Sequence, residues 1–202
     1  MSPRMDVSAE RKAQILEAAK ETFTNRGFHN TRMSDIAKES GLSKGALYWY
    51  FESKDAIILS LLEKVFEPEI QDLNALLEDD RSAEERLLSY AERGADDIQA
   101  MLKWMPLIHE FLVLAFRRDS IKKFIRSFYK RNMDLLEDLI QQGMDSGEFQ
   151  ANSPQEAAIA MGSIIEGTIM LWMYDPEGIE IKIHILSNTQ MLLNGLRSSQ
   201  KG

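Results

Sequence analysis

One short stretch of the chain gathers side chains that donate hydrogen bonds or present flat rings. Ser43 is a preferred helix N-cap, and a helix starting after it carries Lys44, Gly45, Tyr48 and Trp49 on the side away from its apolar residues. An ammonium group, a phenol hydroxyl and an indole N–H all donate to phosphate oxygens and to the acceptor atoms at base edges. The residue types and their spacing therefore predict a surface that contacts a nucleic acid.

A second short helix must hold this stretch in position. Residues 33–40 have helical spacing, Gly41 can take the left-handed backbone of a tight turn, and Ala37 is small enough for two helices to cross steeply. The apolar side chains that would fill the space between the helices are Ile36, Leu42 and Leu47. This pattern is typical of a helix-turn-helix, although a tight pair of helices in any all-α protein would show the same spacing.

The aromatic end of the second helix favours the nucleic-acid interpretation, because Leu47 and Phe51 can face inward and leave two hydroxyls and an indole at the surface. With these residues the chain resembles the TetR (tetracycline repressor) family of bacterial transcriptional regulators. The resemblance rests on Gly27-Phe28, Thr31, Ile36-Ala37, Gly41-Leu42-Ser43-Lys44-Gly45, Leu47-Tyr48, Tyr50-Phe51 and Lys54. It is close over residues 10–57, and the layout of the predicted helices agrees with it over the full length.

The resemblance implies a division of the chain into three parts. Residues 1–53 would form a three-helix DNA-binding domain, a fourth helix at about 54–77 would connect it, and residues 78–202 would bind a small ligand and dimerise. Carried over position by position, the phosphate contacts would be Thr31, Tyr48, Tyr50 and Lys54, and the base-edge contacts would be Ser34, Lys44, Gly45 and Trp49, with Ser43 at the start of the recognition helix.

Helical periodicity extends over the remaining chain and predicts nine helices and no sheet. Two capping boxes mark helix starts, at Ser82-Ala83-Glu84-Glu85 and at Ser153-Pro154-Gln155-Glu156. Pro68 lies inside the fourth helix and is expected to kink or split it. Residues 179–185 alternate between isoleucine and polar residues as a strand would, but no other segment could pair with a strand there, so a ninth helix is predicted. The predicted fold class is all-α.

Composition excludes several classes of protein. The 202 residues include no cysteine and three histidines, which excludes disulfides, thiolate zinc sites and cysteine nucleophiles and argues against a metal site. The chain has no recognisable glycine-rich phosphate loop or nucleophile–base pair, so neither a cofactor nor an enzymatic activity is expected. The first residues lack the apolar stretch of a signal peptide, and the apolar run at 157–173 is shorter than a membrane span. We expect a cytoplasmic protein without membrane contact.

Charge is distributed unevenly along the chain. It has 24 basic and 32 acidic residues, a formal net charge of −8. Residues 1–60 hold nine basic and eight acidic side chains, and residues 61–202 hold fifteen and twenty-four. The densest basic stretch runs from Arg117 to Arg131. It is expected to be a solvated helix face, or else to bind an anionic ligand such as an acyl-coenzyme A.

Large apolar side chains in the second half are candidates for a ligand cavity, although any one of them is first of all a candidate for the core of a helical bundle. The candidates are Trp104, Met105, His109, Phe111, Phe128, Met161, Ile165, Thr168, Ile169 and Trp172. Methionine and aromatic linings suit a flat or flexible apolar ligand. Glu166 could lie at a rim, pair across a dimer or anchor a cationic ligand.

The eighth predicted helix is apolar almost all round and must be covered on both faces. We expect its own domain to cover one face and a second copy of the chain to cover the other, through the eighth and ninth helices. These features together predict a homodimeric repressor that binds a palindromic operator in double-stranded DNA and is released by a small-molecule effector. The alternatives are an activator, or a DNA-bound interaction protein that does not respond to small molecules.

Overall fold

The computed structural model describes residues 7–197, except for the side chains of residue 7 and residues 67–73. The helices are α1 Val7–Arg26, α2 Met33–Glu39, α3 Lys44–Tyr50, α4 Lys54–Leu77, α5 Ala83–Ala100, α6 Met105–Leu114, α7 Asp119–Asp145, α8 Pro154–Tyr174 and α9 Ile181–Leu196, with a short 3-10 helix at Leu102–Trp104. No strand is present among residues 7–197. The predicted all-α fold with nine α-helices is confirmed.

The helix ends follow the signals in the sequence. The side chains of Ser43, Ser82 and Ser153 each accept a hydrogen bond from a backbone N–H in the first turn of the following helix. Of the period-two isoleucines, Ile181, Ile183 and Ile185 lie in α9 and Ile179 precedes it; a helix satisfies its own backbone groups where a lone strand cannot. The fourth helix is not split at Pro68, because residues 54–77 form one helix. The kink expected at this proline stays a prediction.

The chain forms two compact units, and the first contains residues up to 66 together with residues 104–126. Its core centres on three phenylalanines: the ring of Phe23 lies 5.8 Å from that of Phe28 and 5.6 Å from that of Phe111, centroid to centroid. Ile36 of α2 and Leu47 of α3 are fully buried in the same core. A segment from the middle of the chain, α6, therefore completes the unit that carries the helix-turn-helix.

The second unit contains residues 67–103 and residues from 127 onward, with α9 packed against both α5 and α8. Buried Arg86 donates to the carbonyl of Leu76 and, over 2.8 Å, to the side chain of Gln142. Gly143 of α7 lies so close to the ring of Phe149 that a Cβ there would overlap it. The boundaries of these units differ from the predicted boundaries at residues 53 and 77. The predicted boundaries describe which segments bind DNA, connect the domains or bind a ligand, and that assignment stays a prediction.

Candidate nucleic-acid interface

Helix α3 presents one polar face to solvent. Leu47 is fully buried and fixes the rotation of the helix, so that Lys44 and Gly45 are exposed, Tyr48 is 45% exposed and Trp49 is 75% exposed. Tryptophan is highly buried on average in folded proteins, so an indole with three quarters of its surface in water is a candidate for a contact surface. Together with exposed Ser34 in the first turn of α2, these four residues form what we call the recognition face.

Hydrogen bonds hold the turn between α2 and α3 in place behind the recognition face. The N–H of Leu42 donates to the carbonyl of Ala37 over 3.0 Å, and Gly41 between them has φ +67°. Gln14 of α1 donates from its side-chain amide to the carbonyl of Ser40 over 2.6 Å, which ties the turn to α1. The sequence interpretation did not single out Gln14, because a glutamine on a polar helix face carries no local signal of a partner 26 residues away.

Thr31 lies in a different environment from the recognition face. Its side chain is buried, and its hydroxyl donates to the carbonyl of Gly27 over 2.8 Å. The resemblance implies a phosphate contact for Thr31; its hydroxyl is engaged within the protein, and the phosphate contact stays a prediction. Thr31 therefore fixes the loop between α1 and α2.

Lys54 is also engaged within the protein. Its ammonium group donates to the carbonyls of Phe28 and Thr31, each over 2.6 Å, and lies 4.1 Å from the centroid of the Phe28 ring. Burial, and next the nearby guanidinium of Arg118, hold the pKa of Lys54 below its usual value. Two of the three ammonium protons are thus used to clamp the first turn of α4 to the loop after α1.

Glu110 of α6 completes the support of this loop. Its carboxylate accepts the N–H of Phe28 over 3.1 Å, beside Gly27 with φ +74°. The sequence offered one signal for this contact, a carboxylate beside His109 in an otherwise apolar helix. A local pattern could not identify an acceptor 82 residues from its donor.

Tyr50, the remaining predicted phosphate contact, is half-buried at the end of α3. Its ring packs edge-on against Trp49 with a centroid distance of 4.6 Å, so it holds the exposed indole from one side. Ser43 is exposed and accepts the N–H of Ala46 over 3.1 Å. The structure thus brings Ser34, Lys44, Gly45, Tyr48 and Trp49 to the surface and leaves Thr31 and Lys54 as supports below it.

The predicted ligand contacts are divided between the two units. Trp104, Met105, His109 and Phe111 belong to the first unit, and Phe128, Met161, Ile165, Thr168, Ile169 and Trp172 belong to the second. Phe111 packs in the phenylalanine core, and the buried hydroxyl of Thr168 donates to the carbonyl of Ile164 over 2.7 Å. The ligand role of all ten residues stays a prediction. Within residues 7–197, no three His, Asp or Glu side chains are placed to hold a metal ion.

Helices α8 and α9 leave large apolar side chains uncovered on the single chain. The residues with more than half of their surface exposed are Ile159, Leu171, Tyr174, Ile183 and Met191. By length and composition α8 is also the one described helix that could cross a membrane. It carries exposed Glu166, whose carboxylate accepts the hydroxyl of Tyr129 on α7. Several large apolar side chains exposed on two neighbouring helices are typical of a protein–protein contact.

Both halves of the chain match models of known protein families. Residues 15–61 match the family model described as bacterial regulatory proteins, tetR family, and residues 86–181 match that of the tetracyclin repressor-like C-terminal domain. The HTH-type transcriptional regulator YfiR of Bacillus subtilis (strain 168) is 31% identical over 162 residues, which cover 76% of each chain.

Two solved structures share the fold. The complex of SmeT with triclosan aligns with a TM-score of 0.80 at 20% identity and covers 95% of this chain and 93% of that one. SmeT is the repressor of the Stenotrophomonas maltophilia multidrug efflux pump SmeDEF. The structure of FadR from Bacillus subtilis with stearoyl-CoA aligns with a TM-score of 0.77 at 21% identity and covers 92% and 99%.

Proposed function

The chain belongs to the TetR family of DNA-binding transcriptional regulators, which are not enzymes, and on that premise we propose that it is a cytoplasmic, ligand-responsive repressor acting as a homodimer. The observation that carries the proposal is the recognition face. A lysine, a tyrosine and a tryptophan project from a helix whose rotation is fixed by one buried leucine. We propose that this helix enters the major groove, with Lys44 and Trp49 at base edges and Tyr48 at a phosphate.

We propose that dimerisation uses the apolar face of α8 and α9. A second copy of the same chain covers this face most simply, because a two-fold axis places each apolar residue against the same surface of its partner. The contact would remove Leu171, Ile183 and Met191 from water. It would also set the distance between two recognition faces, so that a palindromic operator is required.

We propose a small, largely apolar effector for this chain. Two supports are the triclosan in the SmeT structure and the stearoyl-CoA in the FadR structure. A third is the methionine and aromatic content of the ten predicted contacts, since such side chains repack around varied apolar shapes. The effector releases the operator only to the extent that it binds the non-binding conformation more tightly, typically by about 1–3 kcal/mol.

The test starts with selection of duplexes from a random library by the full-length protein, followed by fluorescence anisotropy on the selected operator. Lys44→Ala should weaken binding by about 1–3 kcal/mol and relax the preference at one base pair. Tyr48→Ala should weaken all duplexes alike, because a phosphate contact carries no sequence information. Lys130→Ala, an exposed lysine on α7, is the matched control.

Two results would contradict the proposal. If Lys44→Ala binds the selected operator with unchanged affinity and unchanged base preference, the recognition face does not read DNA. If neither triclosan nor stearoyl-CoA nor a wider set of apolar compounds lowers operator affinity, the protein is a regulator without an apolar effector.

A further inference from the structure

The turn between α6 and α7 lies beside the first turn of α4. Residues 115–118 form this turn, and they belong to the same compact unit as the helix-turn-helix. The Arg118 guanidinium lies 3.9 Å from the carboxylate of Asp55, the residue that follows Lys54. Arg117 is exposed, and Phe116 is 87% exposed. The turn therefore places the Arg118 guanidinium next to the start of α4, and the exposed Arg117 precedes it in the same turn.

The second segment of the first unit contributes most of the unit's net positive charge. Residues 7–66 hold nine basic and eight acidic side chains, so the three-helix segment and the start of α4 are almost neutral. Residues 104–126 add five basic and only two acidic side chains. The net positive charge of the DNA-binding unit thus comes mainly from the turn and the start of α7. Binding to duplex DNA depends strongly on basic groups that neutralise phosphates.

The cation expected at the start of α4 is already engaged. Lys54 donates to two backbone carbonyls and lies against the ring of Phe28, which leaves one N–H for an external acceptor. Arg118 has 47% of its side chain exposed and pairs with Asp55 only at long range. A guanidinium presents five donors in a planar fork that matches two phosphate oxygens. Arg118 is therefore better placed than Lys54 to bind a phosphate outside the protein.

We propose that Arg117 and Arg118 form a further phosphate-binding site for the operator backbone, in addition to the contacts of the recognition face. The proposal rests on the DNA binding proposed above. The site is built by the second half of the chain but belongs to the DNA-binding unit. Its ligand is the phosphate backbone of duplex DNA, because the Arg118 guanidinium lies beside the first turn of α4 and neither arginine belongs to the recognition face.

The test is the dependence of operator affinity on salt. A plot of log K against log salt concentration has a negative slope, and its magnitude should decrease by about 0.9 for each phosphate that the variant no longer neutralises. In a dimer both copies carry the substitution, so the decrease should be about 1.8. Arg117→Gln and Arg118→Gln should both show this fall and weaken selected and random duplexes alike. Arg118→Lys keeps the charge and should retain most of the slope. Lys130→Gln removes the same charge from α7 outside the first unit and should leave the slope unchanged.

The outcomes separate this inference from the proposed function. If the parent protein shows a steep salt dependence and both glutamine variants keep it, the turn does not contact DNA and only this inference is overturned. If the parent protein does not bind duplex DNA, the proposed function itself fails. If Arg118→Gln lowers the binding of stearoyl-CoA while the salt slope stays unchanged, the arginines serve an effector phosphate, and the inference is overturned. Unchanged thermal unfolding of the variants checks that the fold is intact.

Discussion

Replacing Glu110 by alanine tests how firmly the loop after α1 is tied to α6. In the parent protein the N–H of Phe28 donates to one carboxylate oxygen of Glu110 over 3.1 Å and to the other over 3.4 Å. Alanine leaves this partly buried N–H without its acceptor. Glutamine retains an amide oxygen at the same place and loses only the charge. The two substitutions therefore separate the hydrogen bond from the electrostatic contribution.

The expected free-energy change follows from the type of bond. A hydrogen bond to a charged group contributes about 1.5–3 kcal/mol, and because Glu110 is only half-buried we expect the lower end, about 1.5 kcal/mol, for Glu110→Ala. Glu110→Gln should cost less than about 1 kcal/mol, since a neutral bond still forms. In a chain of this size each kcal/mol lowers the thermal midpoint by about 2–4 °C.

Urea unfolding followed by circular dichroism measures these changes, at one fixed protein concentration because dimerisation also stabilises the folded chain. Glu63→Ala removes an exposed carboxylate from α4 of the same unit and should change the free energy of unfolding by less than about 0.5 kcal/mol. If Glu110→Ala unfolds like Glu63→Ala, the carboxylate does not hold the loop and the argument from its geometry is wrong.

Three other predictions concern the second unit. Gly143→Ala should destabilise the protein by about 1–3 kcal/mol because its Cβ overlaps a buried ring, whereas Gly94→Ala, with open space around it in α5, should stabilise by about 0.5–1 kcal/mol; thermal unfolding of both variants checks the pair. A side-chain hydrogen bond from Arg81 lowers the pKa of Asp79 to about 2, so the stability this pair adds is present above the usual carboxyl pKa and is lost as the pH falls through about 2. In the Arg81→Gln variant the pKa of Asp79, measured by carboxyl NMR titration, should rise toward 3.8. An unchanged pKa would contradict the attribution of the shift to Arg81. Leu171→Glu places a charge on the uncovered apolar face and should shift the protein from dimer to monomer in sedimentation equilibrium; a dimer that persists would exclude this face as the interface.

The parts of the fold that were predictable are those set by neighbouring residues. Serine caps, left-handed glycines and helical spacing are local signals, and they are sufficient to locate α2, α3, α5 and α8 from the sequence. The side-chain exposure of α3 followed from the position of Leu47 in the helical repeat. Even the alternating isoleucines of α9 could be assigned, because the chain offered no second strand.

The interactions that were not predictable join residues distant in sequence. Lys54 looks like a free cation in the sequence, and only the fold brings the carbonyls of Phe28 and Thr31 within its reach. The role of Glu110 depends in the same way on a loop 82 residues earlier in the chain. A buried hydroxyl such as that of Thr31 also looks the same in sequence as an exposed one, since threonine tolerates both environments.

The interrupted construction of the first unit has a consequence for how the protein is synthesised. Its N-terminal helices share a core with Phe111 and Leu114, which leave the ribosome about sixty residues after the end of α3. During translation the core around Phe23 and Phe28 therefore stays incomplete until α6 has been synthesised. A fragment truncated at residue 66 would keep the recognition face and would lack α6 from its core. A chimera that exchanges the first unit between related regulators therefore requires two separate segments of the gene, one for residues up to 66 and one for residues 104–126.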